Sequence, residues 1–97
     1  MSTGQSQRLL WLRHRCRGNG VWTEVIESNQ MRSDSVVMAS ITELAVKEGR
    51  EVPHLGSARM QILNVTPENG RVLVRAHVDW SSPLLLRISL LWDPDAR

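Results

Sequence analysis

Ninety-seven residues, a formal net charge of +2 and one cysteine set narrow bounds. A chain of this length makes one domain whose core has little surplus, so oligomerisation is a natural way to hide further apolar surface. Cys16 cannot form an internal disulfide, no run approaches the ~20 apolar residues of a membrane-spanning helix, and Leu9-Leu10-Trp11-Leu12 is too brief for a secretory core, so a cytoplasmic protein is expected.

The charge is unevenly placed. Arg8, Arg13, Arg15 and Arg17 fall within the first twenty residues with no acid among them, and the rest of the chain carries about −2. This acid-free, Arg-rich start has a weak mitochondrial-presequence character. Lys47 is the sole lysine, Phe and Tyr are absent, and Trp occurs at 11, 22, 80 and 92.

Residues 1–7 are small and polar and read as a disordered tail ahead of one β-rich domain over residues 8–97. Residues 9–16 and 21–28 are β-prone runs around Arg17-Gly18-Asn19-Gly20, and an Asn-Gly pair in that setting predicts a hairpin. Residues 29–35 read as a polar loop. Residues 36–48 are ambiguous. As a helix they gather Val37, Met38, Ile41, Leu44 and Ala45 on one face, with Ser33, Asp34 or Ser35 as cap and Gly49 as stop. The β-branched residues Val36, Val37, Ile41, Thr42 and Val46 favour a strand instead. Residues 50–57, with Pro53 and Gly56, form a connector.

The last third predicts three strands, over 58–65, 71–80 and 84–92, with turns at 66–70 and 81–83. In the middle one Val72, Val74, Ala76, Val78 and Trp80 alternate with Arg71, Arg75, His77 and Asp79, which is the period of a strand with one buried face. A hairpin at 81–83 would pair Val78 with Leu86, Ala76 with Ile88, Val74 with Leu90 and Val72 with Trp92, and would set His77 across from Arg87. Strand 58–65 admits two registers, one burying Met60 and Ile62, the other Leu63 and Val65. The fold class is therefore mainly β, a small antiparallel sheet or sandwich of five to six strands ending in a three-stranded meander. A helix near 36–48 would make it α+β.

Chemistry is sparse. His77 and Asp79 share a strand face with Arg75 nearby, yet no nucleophile has an evident base, so the pattern leans away from an enzyme. His14 and Cys16 share a face, but with no second cysteine and only His54 and His77 as further histidines, neither a metal site nor a cofactor is expected. Gly18-Asn19-Gly20 lacks the lysine of a phosphate loop. Asn64-Val65-Thr66 matches a glycosylation sequon that has no consequence without secretion.

The strand 84–92 is apolar on both faces. Leu85 and Leu91 point away from its core face, and Leu73 joins them in the expected hairpin, so these three leucines form a candidate interface. A non-enzymatic, self-associating structural or protein-interaction module is the leading expectation, as a homodimer or higher oligomer. The alternative is nucleic-acid binding by Trp11, Arg13, Arg15, Arg17 and Trp22 on the first hairpin, Arg for phosphate and Trp for stacking. A second alternative is an apolar-ligand or lipid-binding domain. The runs Thr66-Pro67-Glu68-Asn69-Gly70 and Val78-Asp79-Trp80-Ser81-Ser82-Pro83-Leu84 resemble those of small viral or phage β-domains, without pointing to one family.

Overall fold

A computed structural model describes residues 9–95, so the tail expected over residues 1–7 lies outside the described residues. Seven strands follow one another: β1 (Leu10–Gly18), β2 (Gly20–Glu27), β3 (Val37–Lys47), β4 (Arg50–Pro53), β5 (Arg59–Glu68), β6 (Arg71–Asp79) and β7 (Leu84–Trp92). They form two antiparallel sheets, ordered β1-β7-β3-β4 and β2-β6-β5. The mainly-β class and its sandwich form hold, and no helix occurs among the described residues. It follows that none is long and apolar enough to cross a membrane.

The alternation in β6 identifies the core as expected: Val72, Val74, Ala76 and Val78 are all fully buried. Their partners are not the expected ones. β6 and β7 belong to different sheets, so Val72–Val78 do not pair with Leu86–Trp92 through backbone hydrogen bonds but stack against that strand across the sandwich. The C-terminal meander therefore ends after β5 and β6. Period-two matching of two apolar faces is satisfied equally by cross-strand neighbours and by opposed sheets, and four residues after β6 suffice to cross from one sheet to the other. Trp80, expected inside, sits in that crossing and is 44% exposed.

The N-terminal hairpin is corrected in the same way. β1 pairs with β7 and β2 with β6, so Asn19 marks a corner between sheets. An Asn-Gly hairpin turn of type I′ needs positive φ at both residues. Gly20 has it, at 65°, and Asn19 does not. The two corners lie side by side, joined by a hydrogen bond from Asn19 Nδ2 to the Trp80 carbonyl at 3.3 Å.

Segment 36–48 is a strand, β3, rather than a helix, because seven residues from Val37 to Glu43 find an open edge of β7 to pair with. β3 then turns through Glu48 and Gly49, at φ 51° and 75°, into β4. Here the positive-φ pair that hairpins require is present. The register that buries Met60 and Ile62 holds up to a bulge between Ile62 and Asn64; Val65 faces inward beyond it, but Leu63, expected inward with Val65, is left unpaired and 46% exposed.

The polar segment between β2 and β3 is also more than a loop. Met31 within it is completely buried and closes one end of the core. Ser28 N–H donates to the Gly70 carbonyl and Gly70 N–H to the Met31 carbonyl, at 3.0 and 2.9 Å. Ser33 N–H donates to Asn69 Oδ1 at 3.0 Å, and Trp92 Nε1 reaches the Gln30 carbonyl at 3.4 Å.

Candidate interaction surface

The outward face of the four-stranded sheet is built from odd-numbered residues of β1 and β7 and even-numbered residues of β3. Register sorts them into rows across the strands: Trp11, Leu91 and Met38; then Arg13, Ser89 and Ser40; then Arg15, Arg87 and Thr42; then Arg17 and Leu85, beyond which β3 leaves β7 and pairs with β4. One step before the first row lie Leu9, Asp93 and Val36. The apolar end is open to solvent, with Trp11 and Met38 both 68% exposed and Leu91 39%. Leu9 and Val36 extend it.

The other end of that face is closed. Leu85 points outward yet is buried, and Leu44, where β3 passes from β7 to β4, is buried too. β4 is responsible: Arg15 Nε donates to both carboxylate oxygens of Glu51, at 2.8 and 2.7 Å. That contact joins the two edge strands of the sheet, so the β3–β4 end curls back over the outward face. Between the closed and open ends runs a groove of about 440 Å³ bordered by Trp11, Arg13, Met38, Arg87 and Leu91. The Arg13 guanidinium lies 5.2 Å from the centre of the Trp11 ring, a cation–π contact. Arg87 Nε is buried beside the groove and has no hydrogen-bond partner among the described residues. Glu51 relieves the repulsion between Arg15 and Arg87, which are directly opposite one another.

The leucines expected to act together are dispersed. Leu91 belongs to the exposed row, Leu85 is internal, and Leu73 lies on the outward face of the other sheet between Val25 and Thr66. Of the residues expected to contact nucleic acid, Trp11, Arg13, Arg15 and Arg17 share one face, but Trp22 does not: it points between the sheets. His77 and Asp79 sit on the outward face of the three-stranded sheet, whereas Arg87 is on the opposite side of the sandwich, so the expected His77–Arg87 pairing is absent.

A second cluster was only half legible. Trp22, Glu24 and Ile26 alternate inward on β2, which sets a carboxylate at a position of core parity. Glu24 Oε2 meets His14 Nε2 at 2.7 Å, and Trp22 Nε1 donates to Glu24 Oε1 at 2.9 Å. Counting only histidines and cysteines around His14 and Cys16 misses Glu24; an acid on the inward parity of β2 was the available signal.

Burial, with the nearby Glu24 carboxylate adding to it, pushes the Cys16 thiol up to about 11. The thiolate is the nucleophile, so at pH 8 in the presence of chelator alkylation of Cys16 should run about 100-fold slower than that of an ordinary thiol. The rate should keep climbing toward pH 11; levelling off near pH 9 would contradict this. Because the folded chain holds this proton more tightly than the unfolded one, the associated stability is present below about pH 9 and lost as pH rises toward 11.

No protein-family model, curated protein or solved structure matches this chain.

Proposed function

We propose that this domain is a non-enzymatic self-association module that pairs with a second copy of itself through the open end of its four-stranded sheet. The observation that carries this reading is the exposed row Trp11, Leu91 and Met38, continued by Leu9 and Val36 on a chain of 97 residues. A contiguous apolar patch of this kind on a small domain marks an interface. The face is also self-complementary. A two-fold axis lying in the interface along that row superposes apolar row on apolar row. It sets Arg13 of each copy over Leu9 of the other, one strand away from Asp93, and Ser89 over Asp93, as an isologous contact allows.

Light scattering on a sizing column, at moderate salt and several concentrations, tests the proposal. The expected result is a stable multiple of the 11.0 kDa chain. Leu91→Arg should give a folded monomer whose melting temperature is little changed, since Leu91 is partly exposed. Leu73→Arg, on the opposite sheet, should leave the assembly intact. Leu85→Arg should destabilise the fold itself. A monomeric wild-type protein at every concentration would overturn the proposal.

A second reading, nucleic-acid binding on the same face, is favoured by Arg13 over Trp11 and by the unpartnered Arg87 Nε. It predicts that Arg13→Ala and Arg87→Ala each lower affinity for a single-stranded oligonucleotide and reduce the salt slope by about one. Absence of binding at low salt removes it. An apolar ligand or lipid would have to lie on the surface, since the centre of the sandwich is filled by Val72, Val74, Ile88 and Leu90.

A further inference from the structure

We infer that His14, Cys16 and Glu24 form a three-ligand site for zinc or a similar borderline-soft divalent cation at the β1–β2 corner, a property independent of self-association. The ligand atoms of the three side chains lie within 4.8 Å of one another. In a tetrahedral zinc site with bonds of about 2.0–2.3 Å, neighbouring ligand atoms are roughly 3.4–3.7 Å apart, so side-chain rotations of about 1 Å close the set.

The donor chemistry is specific. An imidazole and a thiolate with one carboxylate oxygen suit zinc, whereas magnesium and calcium require oxygen ligands throughout. Placement is specific as well. His14 and Cys16 are next-but-one residues on the inward face of β1, and Glu24 faces them from β2 in the other sheet. A bound ion would therefore bridge the two sheets.

The site has the support that metal ligands require. Trp22 Nε1 holds Glu24 Oε1 at 2.9 Å and leaves Oε2, the oxygen on His14, directed at the cluster. Such outer contacts fix the orientation of ligating carboxylates. Gly18 makes this possible, because a side chain there would collide with the Trp22 ring. Water reaches the cluster, since the His14 and Glu24 side chains are 29% and 22% exposed. On binding, Cys16 loses its thiol proton to solvent as the sulfur–metal bond forms. The proton that His14 Nε2 donates to Glu24 Oε2 must leave as well, through solvent, so that the neutral ring carries its hydrogen on Nδ1, and the His14–Glu24 hydrogen bond is replaced by one bond from each side chain to the ion. Three protein ligands leave a fourth position for water.

The test is titration of untagged, chelator-stripped protein with cobalt(II), followed by displacement with zinc. The expected result is one ion per chain, with thiolate-to-cobalt charge-transfer absorption in the near ultraviolet and intense tetrahedral d–d bands, both abolished by zinc. Cys16→Ser should remove the charge-transfer band. Glu24→Gln and His14→Asn should each weaken binding by at least about tenfold, and Trp22→Phe by about tenfold with the band retained. Circular dichroism and melting in chelator confirm that each variant is folded, and zinc should raise the melting temperature of the wild type but not of Cys16→Ser. The inference is overturned by absence of the band in folded wild type, by unchanged affinity in folded Glu24→Gln and His14→Asn, or by one ion shared between two chains.

Discussion

Met31→Ala is expected to destabilise the domain by about 3 kcal/mol, as much as truncation of a central strand residue. Met31 is fully buried although it belongs to a segment whose neighbours are Asn, Gln, Arg and Ser. Its side chain caps the core beside Ile26, Val72 and Trp92. The backbone around it is bonded to Gly70, so the space it vacates has little freedom to collapse. In a domain of about 100 residues each kcal/mol shifts the melting temperature by roughly 4–8 °C, so a fall of roughly 12–24 °C is expected by calorimetry. Leu55, 98% exposed on the connector before β5, is the control: Leu55→Ala should change stability by less than about 0.5 kcal/mol. Equal effects of the two substitutions would mean that Met31 does not close the core.

Gly18→Val is expected to cost about 2 kcal/mol through overpacking. Gly18 does not have the positive φ that would by itself demand glycine. The constraint is the Trp22 ring, whose edge occupies the space a β-carbon would take. The ring must move, and the Trp22–Glu24 hydrogen bond goes with it. Two readouts should therefore change together: the melting temperature falls, and in the presence of chelator Cys16 alkylates faster than in the wild type. Gly20→Ala provides the contrast. Nothing lies within 4 Å of a β-carbon at Gly20, and the cost there is the backbone strain of φ 65° alone, so Cys16 should keep its slow alkylation.

Local pattern was enough to find most strands. The alternation of β6, the apolar run of β7 and the β-branched run of β2 each identify a strand and its inward face from neighbouring residues alone. The bulge in β5 was present as two competing registers, one right for Met60 and Ile62, the other right for Val65 but not for Leu63, which the bulge leaves exposed. Segment 36–48 could not be decided locally, because its apolar residues suit both periods. What decides it is the free edge of β7, to which β3 adds a row of hydrogen bonds.

The sequence by itself determined that this is one small β-rich domain, with Val72, Val74, Ala76 and Val78 inside and a row of arginines outside on β1. Tertiary structure alone decided which strands are neighbours. A two-sheet sandwich and a three-stranded meander bury the same alternating residues, and side-chain parity cannot distinguish a partner 5 Å away in a ladder from one about 10 Å away across a core. That choice carried the candidate sites with it. It separated Leu73 from Leu91, enclosed Leu85 beneath the β3–β4 end, and left Trp11, Met38 and Leu91 in one exposed row. It also brought Glu24 from the facing sheet onto His14 and Cys16; the inward parity of Glu24 is local, but its meeting with β1 is made between sheets.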